Sequence, residues 1–546
     1  MLVTGPDRRP LTVELAIRRR TVRIQVWRID IGRVPLYLLD TDRDDNHPID
    51  RWITARLYVG DRHTRLAQYR VLGIGGVRAL EALGTRPSLV HLNEGHAALG
   101  AFERLRRALA AGVPFEDALA ALRHETVFTT HTPLVAGNES YGRDEVEPVF
   151  GDFIDGLGIS RATFYGLGRI TPSDEHERAN ITRLALRTSR ASNAVSRRHS
   201  EVARAMWRGL WPERGEPEVP IACVTNGVHT TTWMAPAMQD LLDRHLGPGW
   251  REAPGEAALG ERFAAIPDAE LWEVRSTLRR TLIEHAREHS IRDRLGRGEP
   301  SEYVETAARV FDPRVLTIGF ARRVATYKRL HLLTLVPERG LALLSGATPI
   351  QLVIAGKAHP QDDAAKEALR RVFEFRRAPG VGERVVFLED YDLHTAPLIM
   401  AGVDLWLNLP QPPLEASGTS GMKVALNGGL NLSVLDGWWA EAWDGENGWG
   451  IESAPGDPQQ RDARDAHATF DLLEREVVPL FYERDADGIP RRWLARVRRS
   501  MRTLVPRFTA ERALRDYIAT MYAPGTSGPG AGIPVVGAAR GAVPSP

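Results

Sequence analysis

A single cysteine, Cys223, among 546 residues excludes an intramolecular disulfide and any cysteine-rich zinc site, and fits a reducing compartment. No apolar run approaches the roughly 18 residues that a membrane-spanning helix needs. The best candidate, Gly340 to Gly356, is broken by Ser345, Pro349 and Gln351. The start of the chain has Arg8-Arg9, then Glu14 and Arg18-Arg19-Arg20, with no apolar core of a signal segment between them. Charge of one sign is also lacking: 71 Lys and Arg against 70 Asp and Glu leave a net charge of +1. A nucleic-acid binder relying on a strongly basic face is thereby excluded. Neither Glu94 with His96 nor His131 shows the His-x-x-x-His or Asp-rich spacing of a metal site. The expectation is a soluble, cytoplasmic protein without a nucleic-acid, membrane or metal partner.

What is present is ordinary for a globular chain: 43% hydrophobic and 26% charged residues. The length allows two large domains or three to four smaller ones. Val13, Leu15 and Ile17, then Val22, Ile24 and Val26, alternate as strands do, and Val34 to Leu39 reads as a further strand. From about residue 70 the pattern becomes strand, loop, helix. Strands are expected at Ser88–Leu92, Thr126–Thr130 and Pro220–Thr225, and a helix over Ala97–Ala111. Residues 252–312 are charge-rich, with Leu271, Val274, Leu278 and Leu282 at helical spacing, and read as a join between two halves. A second series follows: strands at Val315–Phe320, Ile350–Ala355, Val385–Leu388, Asp404–Asn408 and Leu430–Leu435, with helix from Tyr327 onward and over Asp362–Phe375. The expected fold class is α/β with two successive doubly wound domains. Their bounds are 1–311 with the helical join, then 312–493, followed by helices over 494–522 and a disordered tail over 523–546.

Polar or small residues follow the carboxyl ends of these strands, where open parallel sheets bind ligands. The richest stretch runs from Asn408 through Glu415, Ser417, Gly418, Thr419 and Ser420 to Lys423. A helix starting near Thr419 would direct backbone N–H groups at an anion and place Lys423 one turn later on the same face. This suits a cofactor bearing both a phosphate and an aldehyde; spacing alone equally fits a capped helix with a solvated lysine. Arg322, Arg323, Lys328 and Arg329 put four cations within eight positions after another strand, either a phosphate cradle or a basic helix start. Glu94 and His96 flank a strand-to-helix turn, and His131 sits in Thr130-His131-Thr132-Pro133. Trp438, Trp439, Trp443 and Trp449 fall within twelve residues, as core packing or as a sugar-stacking surface.

These blocks together resemble the α-glucan (glycogen, starch or maltodextrin) phosphorylases, in particular their shorter bacterial branch. The matching segments are His91-Leu-Asn-Glu-Gly-His96, Thr129-Thr-His-Thr-Pro133, Val224-Thr-Asn-Gly-Val-His229, Gly319-Phe-Ala-Arg-Arg323 with Tyr327-Lys-Arg329, and Glu415-Ala-Ser-Gly-Thr-Ser-Gly-Met-Lys423. Leu426-Asn-Gly428 and Leu435-Asp-Gly437 follow in the family's order. The resemblance implies two Rossmann-like domains facing a cleft, of the glycosyltransferase-B type. It also implies pyridoxal 5′-phosphate, and retaining phosphorolysis of terminal α-1,4-glucosidic bonds to glucose 1-phosphate, with α-glucan and inorganic phosphate as partners. A homo-oligomer is a further expectation. By match of motif, Lys423 is the Schiff-base lysine. Thr419, Ser420 and Arg322 hold the cofactor phosphate, and Tyr391 packs near the cofactor. Arg323 and Lys328 bind the substrate phosphate. Glu415, Ser417 and Gly418 contact sugar hydroxyls, and Asn226 and His131, with Glu94 and His96, serve the glucan side.

The family pattern has an N-terminal portion, with a Gly-rich loop over the substrate phosphate, ahead of the block that matches residue 34. No counterpart is found, so the first domain is expected to be N-terminally incomplete and the chain to bind cofactor with little phosphorolysis. Val59 before Gly60-Asp61 and Tyr69 after Gln68 also depart from the pattern. Two other functions are weighed. A nucleotide-sugar glycosyltransferase of glycogen-synthase type would have Glu-Pro-x-Gly near residue 415 and need no lysine at 423. An inactive fragment would bind cofactor or glucan only.

Overall fold

The computed structural model describes the chain except for residues 6, 58, 252–261, 359–361, 380, 454 and 524–546. The expected disordered tail lies, from residue 524 on, outside the described residues. Two compact units share the chain. The first comprises Met1–Val195, Ser200–Val224 and Tyr517–Pro546; the second, Ser196–His199 and Thr225–Asp516.

The first unit opens on an antiparallel sheet of β1 (Thr12–Ile17), β2 (Arg20–Ile31) and β3 (Val34–Asp40). Val13 and Leu15 lie opposite Ile24 and Val22, and with Ile17 all are buried on one face, as the alternation dictates. A four-stranded parallel sheet follows, ordered β4 (Val90–Asn93), β5 (Thr126–Thr129), β8 (Ala191–Ala194) and β9 (Ile221–Cys223). A short antiparallel pair, β6 (Ser140–Tyr141) and β7 (Ala179–Asn180), lies between β5 and β8 in sequence. The last described residues return to this unit. Met521 is fully buried with Val127 and Val224, and the His91 ring lies 5.1 Å from that of Tyr517 and 5.7 Å from that of Tyr522.

The second unit is built on six parallel strands, in the order β12 (Val385–Leu388), β11 (Ile350–Ala355), β10 (Leu316–Ala321), β13 (Leu405–Asn408), β14 (Leu430–Val434) and β15 (Trp449–Ile451). All six residues of β10 are buried, the mark of a central strand covered on both faces. The order changes direction between β10 and β13. Chain segments leaving their carboxyl ends diverge there and open a crevice.

Two expectations need correction. The charge-rich join does not close the first unit at residue 311. The helix Asp268–Gly296 packs on the helix Thr395–Gly402 and belongs wholly to the second unit, so the division falls at Val224/Thr225. Its buried Arg275 explains the attachment, donating to the carbonyls of Ala401, Val403 and Asn427 at 2.5, 2.6 and 2.7 Å. Residues from Tyr327 are not a continuous helix. Two short 3₁₀ turns, Thr326–Lys328 and Leu330–Thr334, are separated by Arg329 at φ 52°, and the α-helix starts only at Pro337. Of the two readings of the tryptophan group, core packing holds: Trp438, Trp439 and Trp449 are at most 2% exposed, and Trp443 packs half-buried against the same core.

Candidate active site

Arg322 is the first residue past β10, and its guanidinium turns across the crevice toward β13. It is buried, and Nη1 donates to Asn408 Oδ1 at the end of β13. Nη2 lies 3.4 Å from the Leu407 carbonyl and 3.5 Å from Ser420 Oγ. Glu415 Oε2 is 3.7 Å from Arg322 Nη1 and closely paired with Lys328 Nζ. The 3₁₀ turn at Thr326–Lys328 is what brings Lys328 back to this point, and burial pushes its amine down to about 8 against the pull of Glu415. One carboxylate therefore meets the buried Arg322 and the half-buried Lys328, with the exposed Arg323 next in the chain. A net positive charge held in a buried crevice is suited to anions.

The segment Glu415–Ser420 is fastened from behind by Asp436. The Asp436 carboxylate accepts from the backbone N–H groups of Glu415 and Gly437, both at 2.9 Å, and is fully buried. Burial pushes it up to about 6, and the two N–H donors oppose that shift only in part. Trp438 N donates to the Ser417 carbonyl at 2.8 Å. Gly437 sits at φ 54°, and a Cβ there would lie 2.4 Å from the Ser417 carbonyl oxygen. Ser417 Oγ and Arg322 Nε are buried with no hydrogen-bond partner in the protein, so this crevice offers polar groups that no side chain satisfies.

Thr419 is the N-cap of the helix Ser420–Leu426, as the spacing requires, although its side chain makes no capping bond. Ser420 Oγ accepts from Trp406 Nε1 at 3.1 Å. One turn on, Lys423 Nζ lies 3.4 Å from the centroid of the Trp233 ring. Burial pushes the lysine down to about 8, which raises its neutral, nucleophilic fraction near neutral pH. Asn427 holds the pair in register by donating to the carbonyls of Trp233 and Lys423 and accepting from Ala235 N. Tyr391 is half-buried, pushed up to about 12 by burial, and within electrostatic reach of Arg322. The Asn226 carbonyl accepts from Arg512 at 3.0 Å.

In the first unit, Glu94 follows β4 in a left-handed conformation, φ 68°, and its Oε2 accepts from His131 N and Thr132 Oγ1, both at 2.8 Å. His131 Nε2 faces Asn93 Oδ1 at 2.5 Å. Burial lowers the pKa of both His131 and His96; Glu94 opposes it at His131, whereas Arg65 reinforces it at His96. Arg65 bridges His96 and Glu139, and Tyr69 and Tyr141 both donate to Glu139.

The structure thus gathers Arg322, Lys328, Glu415, Ser417 and Ser420 in one place, with Lys423 one helical turn beyond. Glu94, His96 and His131 belong to the first unit. Trp233, Asp436 and Asn427 were not singled out from sequence, although the last two lie inside the recognised motifs. Trp233 carried no signal, being 190 residues from the lysine it covers. Among the described residues no group of His, Cys, Asp and Glu could hold a metal ion, and no helix is long and apolar enough to cross a membrane.

Comparison with known proteins adds to this geometry. Residues 162–444 match the carbohydrate phosphorylase family model. The chain is 43% identical over 541 residues to the glycogen phosphorylase of Mycobacterium tuberculosis, covering 96% of itself and 62% of that protein. It is 41% identical to the maltodextrin phosphorylase of Thermococcus litoralis, covering 95% of itself and 61% of the relative. For the glycogen phosphorylase of Aquifex aeolicus the identity is 40% over 510 residues, 93% of the chain and 72% of the relative. The chain therefore spans less than two thirds of the length of the first two relatives, while the match runs through both units and every segment of the crevice. It belongs to the carbohydrate phosphorylase family.

Proposed function

We propose that the protein cleaves terminal α-1,4-glucosidic bonds of glycogen or maltodextrin with inorganic phosphate, yielding glucose 1-phosphate with retained configuration and using pyridoxal 5′-phosphate. The observation that carries this reading is the half-buried, partly desolvated Lys423 one helical turn from a crevice with excess positive charge and two unsatisfied buried polar atoms. Strand order β12-β11-β10-β13-β14-β15 is that of a doubly wound dinucleotide fold and supports the Rossmann-like, glycosyltransferase-B reading of this unit. Membership of the phosphorylase family, together with Lys423 and Glu415-Ala416-Ser417, favours phosphorolysis over transfer from a nucleotide sugar.

Lys423 would hold the cofactor covalently, with Trp233 covering it. Arg322, Ser420 and Thr419 would hold its phosphate, and Tyr391 would pack beside it. When bound, the cofactor supplies a phosphate group that can accept and donate a proton. Arg323 and Lys328 would receive the substrate phosphate beside it, offsetting the repulsion of two anions with fixed charge. Glu415 pairs with Lys328 in the protein alone, so incoming phosphate shares that lysine and frees a carboxylate oxygen for a sugar hydroxyl. Ser417 and Gly418 would add contacts to the sugar. The substrate phosphate stabilises oxocarbenium-like charge at the anomeric carbon, and no pair of protein carboxylates is required. His131, Asn226, Glu94 and His96 are assigned to the glucan by motif.

The test has two arms. Borohydride reduction of cofactor-loaded protein and peptide mapping should place the label on the peptide containing Met422-Lys423. Maltoheptaose with phosphate should then release glucose 1-phosphate, at the low rate expected of this chain. Label elsewhere, or none after reconstitution, overturns the cofactor assignment; labelled protein without product leaves a cofactor-binding chain and overturns the activity.

A further inference from the structure

Gly319 on β10 lies opposite Trp406 on β13, and the missing side chain is what lets the indole lie there. A Cβ at position 319 would sit 3.0 Å from the ring and 2.8 Å from Val403. Trp406 is wholly buried. An indole has one polar atom, a donor, and here it donates to Ser420 Oγ at 3.1 Å. Two residues along the same strand, and so on the same face, Asn408 accepts from Arg322 Nη1. An arginine only donates, so the amide oxygen has to face it. The Asn408 Nδ2 is then directed to Ser433 Oγ at 3.1 Å, and that hydroxyl donates to the Val434 carbonyl at 2.9 Å. The guanidinium held in this way brings Arg322 Nη2 to 3.5 Å from Ser420 Oγ.

The Ser420 hydroxyl therefore faces two donors, neither of which can accept. A hydroxyl has two lone pairs and one proton. With the indole and the guanidinium on its lone pairs, its own proton is directed away from both, and among the described residues nothing accepts it. Arg322 Nε, on a side chain 9% exposed, is a second donor left without an acceptor. Two orphan donors on adjoining groups suit a ligand atom that only accepts, as the oxygens of a phosphate dianion do. Without the indole N–H, one lone pair of Ser420 would be free and the hydroxyl would rotate.

We propose that Trp406 is a positioning residue for the cofactor: its indole N–H fixes the Ser420 hydroxyl so that the hydroxyl proton is offered to the cofactor phosphate. The assignment rests on the pyridoxal 5′-phosphate reading above and names a residue outside the motifs that led to it. The probes are pyridoxal 5′-phosphate and pyridoxal, which lacks the phosphate. Each is titrated into the full chain dialysed free of cofactor, with occupancy read by borohydride trapping at Lys423. Trp406→Phe should weaken pyridoxal 5′-phosphate about three- to tenfold and leave pyridoxal unchanged. Ser420→Ala should weaken the phosphate ester about tenfold. In the Ser420→Ala background, Trp406→Phe should add no further loss, because both act through one hydrogen bond. The smaller ring of phenylalanine is controlled by benzothienylalanine in place of Trp406, which keeps the bicyclic shape and puts a sulfur where the N–H was; it should reproduce the selective loss. Equal weakening of both ligands, full affinity for the ester in the benzothienylalanine protein, or additive losses in the double variant overturns the positioning role alone. A parent chain that traps neither ligand at Lys423 overturns the cofactor reading, and this assignment with it.

Discussion

At the scale of single residues, charge and burial separate roles that look alike in sequence. Lys328 and Lys423 are both pushed down to about 8, but Lys328 has Glu415 as partner, whereas Lys423 faces the Trp233 ring and has no ion-pair partner among the described residues. Lys423→Ala should abolish cofactor attachment, read by loss of cofactor absorbance after dialysis. Arg323→Ala should keep cofactor content and weaken phosphate handling roughly ten- to a hundredfold, since a charge-assisted hydrogen bond contributes about 1.5–3 kcal/mol; equal cofactor loss in both variants would refute separate roles. Asp436 sets a pH dependence. Its folded pKa, raised to about 6, lies above the ordinary 3.8, so its contribution to stability is fully present below 3.8 and is lost as pH rises through 6. The change is on the order of 3 kcal/mol. Urea midpoints of the parent should therefore fall between pH 4 and 7 relative to those of Asp436→Asn; parallel profiles would rule the coupling out.

Elements hold the crevice through a few buried contacts. The helix Asp268–Gly296 is tied to the start of β13 by Asp404, which accepts from Arg279 Nη1 at 2.6 Å and Thr317 N at 3.0 Å, with Arg275 Nη2 at 3.4 Å. Both guanidinium groups are 2% exposed or less, so Asp404→Asn strands buried charge and should cost about 3–5 kcal/mol in a urea titration. The turn at Gly437 is equally exacting. Its positive φ and the Ser417 carbonyl at 2.4 Å from a would-be Cβ leave no room for Gly437→Ala without moving the Glu415–Ser420 segment. That variant should lose affinity for the sugar before it loses cofactor, measured by KM against cofactor absorbance. The periodicities that define these elements were plain in the sequence. The alternation of Val13 to Val26, the apolar runs read at 315–320 and 350–355, and the helix read as starting near Thr419 all formed, the first run as Leu316–Ala321 and the helix as Ser420–Leu426. Ala191–Ala194 was not legible as a strand, because ASNA carries no apolar run and is buried only by its neighbours. The helix expected from Tyr327 failed because Arg329 takes a left-handed conformation, which puts its guanidinium against Asp462 and Asp465.

For the whole molecule, the chain passes between its two units four times, and its last described residues belong to the first unit. Arg190 Nη2 donates to the carbonyls of Met521 and Tyr522 at 3.1 Å, and His91 Nδ1 lies 2.7 Å from Tyr522 Oη. Ending the chain after Asp516 removes the fully buried Met521 and both tyrosines from the β4-β5-β8-β9 sheet. It should lower the first unit's thermal midpoint, resolved by calorimetry as a transition that moves while the second unit's stays. Coincident movement of both transitions would show that the closing segment stabilises the units jointly.

The sequence by itself determined the α/β class, because strand and helix periods are local. It also determined the motif residues 415–423 and 322–328, because small residues, a lysine one turn later and clustered cations are a chemical pattern readable in order along the chain. Only the tertiary structure decided what each of those groups meets. That Glu415 neutralises Lys328, that Trp233 covers Lys423 and that Asp436 is driven toward protonation depend on which distant segments exclude water. So does the allocation of residues 268–296 to the second unit: a helix pattern states that one face will be buried, and the buried Asp404 at the start of β13 decides where.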